Sequence, residues 1–452
     1  MRTCIKCSAA VIIASTLVWA QDANLDDQVD RYLQPYVRSN NFTGAVLIAK
    51  GDKLLVNRAY GYANLSLRVA NTPSIRFHIA SISKPFTAGA VLLLQERGLL
   101  STGDKISKYL PDFPRGDQIT ILNLLTHTSG IANVNNLPEY EKAQRFPQTP
   151  ATLIQLFKDK PLDFEPGAKY AYSNSNYNIL AFIIEQVGKK PYGDFLRESV
   201  FAPLGLSDTG HDGTAADIVV NRASGYQPRG ADELENAVAI DWSAKTGNGS
   251  LYSTTADLLK FVRTYAQGQL LKPATVSEVW VEKPGNNYGW FVRKTHGELA
   301  IATNGRSPGF TSSLEYYPSR DLVVIVLSNS YSPVSQSPIA EDLAAMALGQ
   351  NVAPPERMEA VSLAPDEWKR IEGTYSFNSD FFRPNARVTL ELHGQNLFLN
   401  WGNNFETALT PIAKGEFLDR QFWARLRVKS TGTLVYSSGG QDFELKRVEE
   451  KH

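Results

Sequence analysis

Residues 77–100, FHIASISKPFTAGAVLLLQERGLL, place a Ser-x-x-Lys motif at the start of a long apolar helix. Side chains three residues apart on a helix share one face, with Cβ atoms about 5–6 Å apart, so Ser81 and Lys84 are predicted to touch. A lysine whose pKa is lowered by burial can take the proton of a serine hydroxyl and make the serine a nucleophile. The helix N-terminus would favour an oxyanion beside that serine. The structural alternative makes Ser81 a helix N-cap and Lys84 a solvated residue of the first turn.

Composition and charge exclude one broad class of function. Of 452 residues, 43% are hydrophobic and 20% are charged, which is typical of a globular protein. Lys and Arg number 46, as do Asp and Glu, so the formal net charge is zero. A nucleic-acid binder needs a basic surface that displaces counterions, so no nucleic-acid partner is predicted. The length suits a large domain with a smaller module attached.

The N-terminal residues 1–20 have the pattern of a secretory signal peptide. The basic start MRTCIKC precedes the apolar run SAAVIIASTLV, and a cleavage position follows Ala20. The alternative is a retained membrane anchor, but the run is shorter than the about 20 apolar residues that cross a bilayer. We therefore predict a secreted or periplasmic protein, with no membrane span after signal cleavage.

Both cysteines, Cys4 and Cys7, lie in that segment, so the mature chain would contain no thiol. A cysteine nucleophile and a cysteine-based zinc site are thereby excluded. The six histidines show no metal-ligand spacing, so neither a metal nor another cofactor is predicted.

The pattern of apolar residues predicts an α+β fold. Residues 43–65 indicate a strand hairpin that turns at Lys50-Gly51-Asp52, and residues 299–330 contain three β-rich runs with turns at Asn304-Gly305 and at Pro318-Ser319-Arg320. Helices lie between them, including a short helix that ends at Gly130. Strands from both ends of the segment favour an antiparallel sheet flanked by helices.

A second domain is predicted at the C-terminal end. Residues 21–350 would form the α+β domain, and residues 351–362, with paired prolines, would form a linker. Residues 363–452 contain short alternating runs such as RVTLELHG and NLFLNW. Such runs predict a small all-β domain, either a closed barrel or a sandwich, and we take it as a barrel.

Two further stretches carry candidate functional residues. In Tyr172-Ser173-Asn174 the phenol of Tyr172 could pass protons beside a lysine, and the amide of Asn174 could hold a substrate carbonyl. The alternative is a turn ahead of a helix. In Thr303-Asn304-Gly305-Arg306, on an edge strand beside the serine, the glycine would let a substrate approach and the next N–H would complete an oxyanion hole with Ser81. The alternative there is a plain Asn-Gly hairpin turn.

Taken in order, these motifs resemble those of the serine β-lactamases and penicillin-binding proteins. The closer resemblance is to the class C-like branch, which includes D-amino-acid peptidases, D-alanyl-D-alanine carboxypeptidases and related esterases. Five segments match it in order, over residues 25–349: FHIASISKPFTA, ITILNLLTHTSGI, FEPGAKYAYSNSNYNILAFIIE, NGSLYSTTADLLKF and SPGFTSSLEYYP. From residue 368 onward the chain, with IEGTYSF near the start of this part, resembles a lipocalin-like barrel.

The resemblance implies a β-lactamase/transpeptidase-like fold and a role for each matching residue. Ser81 would be the acylated nucleophile, Lys84 its proton acceptor and Tyr172 the proton relay. Asn174 would hold the substrate amide. Gly305 matches the strand glycine, and the N–H of Arg306 would join that of Ser81 in the oxyanion hole. His127, in LLTHTSG, is predicted to be structural.

One position departs from the resemblance. Counted back from Pro308-Gly309-Phe310, the family's Lys or His falls on Thr303, a neutral hydroxyl. In the family that position engages a substrate carboxylate or polarises the tyrosine, so Thr303 argues against efficient β-lactam hydrolysis. The side chain of Arg306 either restores a positive charge there or points to solvent.

The sequence thus predicts a secreted serine hydrolase that forms an acyl-enzyme on Ser81 and cleaves esters or amides. Its partner would be a small molecule or short peptide, with D-residue peptides and small esters ahead of β-lactams. The alternative is a non-hydrolytic sensor or scavenger that binds penicillin or cell-wall peptides. A third hypothesis gives the C-terminal module the recognition task, and a homo-oligomer stays open.

Overall fold

The structure of this chain is a computed structural model that describes residues 25–229, 232–333, 338–353, 360–362, 369–381, 385–394, 396–402, 406–430, 432–438 and 440–448. The predicted signal peptide, residues 1–20, lies outside the described residues, and so does part of the predicted linker. The domain boundaries therefore stay predictions.

Strands from both ends of the first domain build its main sheet. The strands of this domain are β1 (Gly44–Lys50), β2 (Lys53–Tyr60), β3 (Tyr62–Asn64), β4 (Val69–Ala70), β5 (Phe77–His78), β6 (Gly210–His211), β7 (Tyr226–Arg229), β8 (Glu233–Asn236), β9 (Leu251–Ser253), β10 (Lys283–Asn287), β11 (Trp290–Thr295), β12 (Glu298–Ser307), β13 (Phe310–Tyr317) and β14 (Leu322–Ser328). Seven of them form an antiparallel sheet in the order β10-β11-β12-β13-β14-β1-β2. The predicted hairpin and the predicted α+β class are confirmed.

Most of the helices lie between the strands of the two chain ends. They are α1 (residues 25–38), α2 (Ser83–Glu96), α3 (Ile121–Leu125), α4 (Pro138–Ala143), α5 (Pro150–Phe157), α6 (Asn174–Gly188), α7 (Tyr192–Leu196), α8 (Ala202–Leu204), α9 (Thr255–Ala266), α10 (Pro273–Val279) and α11 (Pro338–Ala347). A π turn, Arg197–Phe201, joins α7 to α8. In the described part of the chain, none of the helices combines the length and apolar composition needed to cross a bilayer.

Helices cover both faces of the sheet, which explains why its central strands are apolar throughout. Every residue of β14 is buried, and so is all of β1 except its last residue. Successive side chains of a strand point to opposite faces. Leu47 and Ile325 therefore belong to the core that includes α2, α6 and α9, whereas Ile48 and Val324 belong to the core that includes α1 and α11. The helix that follows Ser81 is thus fixed against the sheet by a continuous core.

The predicted turn at Asn304-Gly305 is wrong, because β12 runs through both residues. The chain turns instead at Pro308 and Gly309, where Gly309 has φ +82°. Asn-Gly is a strong hairpin signal, but Gly305 instead allows β12 to pass close to the backbone of Ile79 and Ser81. A Cβ on Gly305 would lie 2.3 Å from the carbonyl oxygen of Ile79, which only a glycine avoids.

Two other local expectations also need correction. The helix predicted to end at Gly130 ends at Leu125, because His127 adopts φ +55° and turns the chain. Strand β12 is also not an edge strand, since it lies between β11 and β13. Its pairing with β11 nevertheless stops at Ala302. Residues 303–307 are therefore paired with β13 only.

The C-terminal part is a closed barrel of eight antiparallel strands, as predicted. Its strands are β15 (Gly373–Phe377), β16 (Arg387–His393), β17 (Asn396–Asn400), β18 (Glu406–Ala413), β19 (Glu416–Asp419), β20 (Ala424–Ser430), β21 (Thr433–Ser438) and β22 (Gln441–Arg447). Aromatic side chains fill much of its interior, and the rings of Phe377 and Phe381 stack at 3.7 Å. The likeness to lipocalins stays a prediction.

Candidate active site

The backbone before Ser81 adopts an uncommon conformation. Ala80, fully buried, has φ +47°, in the left-handed region that costs an L-residue roughly 1–2 kcal/mol. It opens a 3₁₀ turn, Ala80–Ile82, that leads directly into α2. Ser81 therefore sits on the turn before the helix rather than in its first turn. The carbonyl of Ile79 accepts hydrogen bonds from Ile82 N (3.1 Å) and from Ser312 Oγ (2.9 Å), which hold the turn in place.

The amine of Lys84 lies at the centre of the site. Its side chain is fully buried, and Nζ is 3.0 Å from Ser81 Oγ, 2.9 Å from Asn174 Oδ1 and 2.7 Å from the carbonyl oxygen of Asn248. The predicted contact between Ser81 and Lys84 is therefore present, and the alternative of a solvated lysine is wrong. Three oxygens around one nitrogen fix its position.

Burial lowers the pKa of the Lys84 amine well below its ordinary value of 10.5, and the positive charge of Lys245 lowers it further. A neutral amine has two N–H groups and one lone pair. Asn174 Oδ1 and the carbonyl of Asn248 can take only donated protons. The lone pair is then left for Ser81 Oγ, which is the arrangement that a general base requires.

Tyr172 reaches the same hydroxyl from another segment. Its phenol oxygen is 2.9 Å from Ser81 Oγ, and burial raises the pKa of the phenol above its ordinary value of 10.0. The ring stacks on His127 with centroids 4.5 Å apart. His127 in turn accepts a hydrogen bond at Nδ1 from Ser173 N, at 3.2 Å, and burial lowers its pKa to about 3. His127 thus positions Tyr172 as a neutral ring, in agreement with its predicted structural role.

Asn174 begins α6 and is held on three sides. Besides accepting from Lys84, it donates from Nδ2 to Asn135 Oδ1 at 2.7 Å and from its backbone N to Asn133 Oδ1 at 3.1 Å. One of its two amide N–H groups is therefore already used within the protein. The second amide N–H could donate to a substrate carbonyl, and the substrate-binding role of Asn174 stays a prediction.

Strand β12 passes beside the serine at Gly305. A Cβ at this position would lie 2.7 Å from Ser81 N, so the two backbones are in close contact. Thr303 lies two residues away on the same face of the strand. Its side chain is 1% exposed, and Oγ1 has no hydrogen-bond partner among the described residues. The hydroxyl at this position is therefore buried, and no described residue pairs with it.

The side chain of Arg306 does not restore a charge at Thr303. It leaves the strand on the opposite face, lies 4.1 Å from the ring centroid of Tyr331, and donates to the carbonyl oxygen of Gln421 at 2.8 Å. It is half-buried and contacts the barrel through Gln421, and both Tyr331 and Gln421 also line a neighbouring cleft.

A cleft of about 960 Å³ adjoins the site, because Asn135, the partner of Asn174, lines it. Its other walls come from residues 136–145, the β7–β8 hairpin and the barrel. A larger cavity of about 1110 Å³ lies along α7 and Tyr252 and includes none of the predicted site residues. The smaller cleft also includes none of them, but hydrogen-bond partners of two, Asn135 and Gln421, line it, and we take it as the candidate substrate cleft for that reason.

Several residues of the site carried no readable signal in the sequence. Asn135 and Lys245 lie in short 3₁₀ turns, Val134–Asn136 and Trp242–Lys245, and Asn133 and Asn248 lie in the chain beside these turns. A lone Asn or Lys in a loop has no spacing to mark it. They were found only through their contacts.

Among the described residues, one group of side chains has the ligand types and spacing to hold a metal ion, and it lies on the barrel. The ligand atoms of Glu391, His393 and Glu406 come within 4.8 Å of one another on β16 and β18. The two ring nitrogens of His393 face different carboxylates, at 3.3 Å and 3.8 Å. These contacts join a half-exposed histidine to two neighbouring carboxylates and assign no metal.

The lowered pKa of Lys84 predicts the pH dependence of acylation. A base works only when it is unprotonated, so acylation should be lost as pH falls through the pKa of Lys84 and should be constant above it. We expect a plateau that begins well below pH 10.5. The measurement is the rate of the acylation burst with p-nitrophenyl acetate from about pH 5 to about pH 10. A rate that keeps rising with pH up to the ordinary lysine value would contradict the neutral amine.

Comparison with known proteins gives consistent matches. Residues 29–348 match the family described as Beta-lactamase. The Bacillus subtilis protein PbpX, which bears a penicillin-binding-protein name, is 31% identical over 294 residues, 65% of this chain and 72% of its own.

Solved structures match in fold. The octameric penicillin-binding protein homologue from Pyrococcus abyssi has a TM-score of 0.63 at 23% identity, covering 94% of this chain and 99% of its own. The D-amino acid amidase from Ochrobactrum anthropi, complexed with D-phenylalanine, has a TM-score of 0.62 at 23% identity, covering 74% and 100%.

Proposed function

We propose, from the premise that this chain belongs to the beta-lactamase family of serine hydrolases, that it forms an acyl-enzyme on Ser81 and hydrolyses esters or amides. The observation that carries the proposal is the convergence on one hydroxyl. Lys84 Nζ and Tyr172 Oη lie 3.0 Å and 2.9 Å from Ser81 Oγ. A serine with two proton-transfer groups in hydrogen-bond reach has the geometry of an activated nucleophile.

Acylation follows from the protonation states. The lone pair of Lys84 takes the proton of Ser81 as Oγ attacks the substrate carbonyl carbon. The oxyanion that forms would be held by the N–H groups of Ser81 and Arg306, and the close contact of Gly305 with Ser81 N supports this pairing. The tetrahedral intermediate collapses when the bond to the leaving group breaks.

The leaving group needs a proton, and Tyr172 is placed to give it. Its raised pKa keeps the resting side chain a phenol, which can donate. The phenolate that results recovers a proton from the Lys84 ammonium, so both groups return to their starting states. Water then attacks the acyl carbon and gives one proton to Lys84. The acid is released when the bond to Ser81 Oγ breaks, and Oγ takes that proton back from the Lys84 ammonium.

The charges around β12 favour substrates without a carboxylate on the leaving group. Thr303 is a buried neutral hydroxyl, and the guanidinium of Arg306 is engaged by Tyr331 and Gln421. A carboxylate beside Thr303 would be desolvated against a neutral hydroxyl where the family has a cation or an imidazole, which is costly. Esters and amides with neutral leaving groups are therefore the proposed class, ahead of β-lactams.

The substrate class can be tested with one matched substitution. We expect the native chain to turn over p-nitrophenyl acetate and a D-amino acid amide faster than benzylpenicillin. Thr303→His, which places an imidazole on that face of β12, should raise the rate of acylation by penicillin relative to the ester. Mass spectrometry of the intact protein measures acylation and release for each compound.

The same experiment separates hydrolysis from sensing. An acyl group that appears at one equivalent and is then lost marks an enzyme. A stable adduct on Ser81 with no release marks the non-hydrolytic alternative. Faster turnover of penicillin than of the ester by the native chain would overturn the substrate proposal.

Secretion and assembly belong to the same proposal. Residues 1–20 would direct export and be removed after Ala20, giving a secreted or periplasmic enzyme of residues 21–350 and 363–452 joined by a linker. The octameric homologue from Pyrococcus abyssi supports a homo-oligomer of this chain as well, because the structural match covers 94% of this chain.

A further inference from the structure

A turn of the barrel, residues 419–423, reaches into the first domain, and we call it the docking turn. Asp419, whose carboxylate is buried within the barrel, fixes the backbone of this turn by hydrogen bonds. Oδ1 of its fully buried carboxylate accepts from the backbone N of Gln421 (3.0 Å) and Phe422 (3.2 Å). Oδ2 accepts from Thr407 Oγ1 (2.9 Å) and Tyr436 Oη (3.1 Å). The shape of the docking turn is thus set by the barrel itself.

Arg420 fastens the docking turn to the first domain. Its side chain is 1% exposed, so the whole guanidinium is removed from water. It donates to oxygen atoms of the first domain at 2.8 to 3.2 Å: Asn41 Oδ1 and the carbonyls of Ser39, Arg229 and Glu233. A buried cation that lost these partners would be strongly destabilised, so the contact holds the two parts in one arrangement.

The next residues of the docking turn hold Arg306. The carbonyl of Gln421 accepts from Arg306 Nη2 at 2.8 Å, and the ring centroid of Phe422 lies 5.2 Å from its guanidinium carbon. The ring centroid of Tyr331 lies 4.1 Å from the same guanidinium carbon. The side chain of Arg306 is therefore clamped between an aromatic ring of the first domain and the barrel.

Arg306 is the residue after Gly305, the point where β12 contacts Ser81. The Arg306 N–H is the second donor of the proposed oxyanion hole. Residues 303–307 ladder to β13 but not to β11. This end of β12 thus depends more on side-chain contacts for its position, and the clamp on Arg306 is one of them.

We propose that Arg306 and Arg420 are positioning residues, through which the barrel's docking turn holds the β12 donor of the oxyanion hole in register with Ser81. The inference rests on the proposed function, since it assigns a role to the barrel in that same acylation. It makes the barrel part of the catalytic apparatus rather than a separate binding module. Neither side chain is required to touch the substrate.

The test uses the full mature chain with Arg306→Gln, Arg420→Gln and the double variant. The control is Arg427→Gln, a barrel arginine whose contacts are with Ser437 and Asp442 of the barrel. Stopped-flow bursts with p-nitrophenyl acetate give the acylation rate constant and KM. Because a displaced donor should cost less than a deleted one, we expect each single variant to slow acylation at least about 10-fold with KM nearly unchanged, short of the about 10²–10³-fold for losing a donor. The control should match the native chain.

The double variant separates positioning from general damage. If both arginines act through one strand, the double variant should be no slower than the slower single variant, because their effects are not independent. The inference would be overturned if the double variant showed the product of the two single reductions in acylation rate. An Arg306→Gln variant that acylates at the native rate would overturn it as well. Should Arg420→Gln fail to fold by circular dichroism, Arg306→Gln decides alone. A native chain without a Ser81-dependent burst would instead sink the proposed function itself.

Discussion

Substitution of Ser81 by alanine is expected to abolish acylation, with a loss of about 10⁴-fold or more in the rate of ester hydrolysis. The physical reason is that the variant keeps Lys84 and Tyr172 but has no oxygen to attack the carbonyl. Labelling by a fluorophosphonate probe, followed by mass spectrometry of the intact protein, measures the effect. The labelled peptide of the native chain should contain Ser81.

Ser83 offers a matched control two residues away. Its hydroxyl is buried and accepts a hydrogen bond from Leu251 N at 3.1 Å. Ser83→Ala should therefore be labelled like the native chain and lose about 1–3 kcal/mol in the free energy of unfolding, because the Leu251 N–H loses this acceptor. Undiminished labelling of Ser81→Ala would show that another residue is the nucleophile.

The architecture was predictable because its signals are repetitive. Alternation in residues 43–65 and 299–330, and helical spacing after Ser81, each involve many residues that agree with one another. Burial of those residues is also what stabilises the fold, so the pattern and its physical cause coincide. The same holds for the barrel, whose short alternating strands closed as expected.

The errors arose where one tertiary contact outweighs a local preference. Asn304-Gly305 has the strongest local signal for a hairpin, yet the strand continues because Gly305 must lie against Ile79 and Ser81. His127 ends α3 early through a left-handed conformation that its buried contacts impose. Neither contact can be read from the neighbouring residues.

The candidate site likewise contains residues that the sequence predicted and residues that only the structure reveals. Ser81, Lys84, Tyr172 and Asn174 belong to short motifs, and the structure brings all four together. The carbonyl of Asn248, which completes the surroundings of Lys84, is a backbone atom and has no residue type to reveal it. The direction of the Arg306 side chain depended on the barrel, over 100 residues away, so both expectations for it missed the actual partner.

Removal of the Lys84 amine should have the second large effect. Lys84→Ala deletes the group that takes the serine proton, and we expect acylation to slow by at least about 10²-fold, the lower range for loss of a general base. Lys84→Arg should be equally slow, because a guanidinium keeps its proton and offers no lone pair. The acylation burst with p-nitrophenyl acetate measures both. Lys108→Met, an exposed lysine paired with Asp104, is the control that should leave the rate unchanged.

Chemical rescue can then separate a base from a structural cation. The alanine variant leaves a buried space beside Ser81 Oγ, Asn174 Oδ1 and the carbonyl of Asn248, where a small primary amine can bind. If Lys84 is the base, ethylamine should restore part of the acylation rate, in proportion to its unprotonated fraction as pH rises. A structural cation predicts the reverse, with rescue following the ammonium form. Acylation by Lys84→Ala within about 10-fold of the native rate would contradict the general-base role altogether.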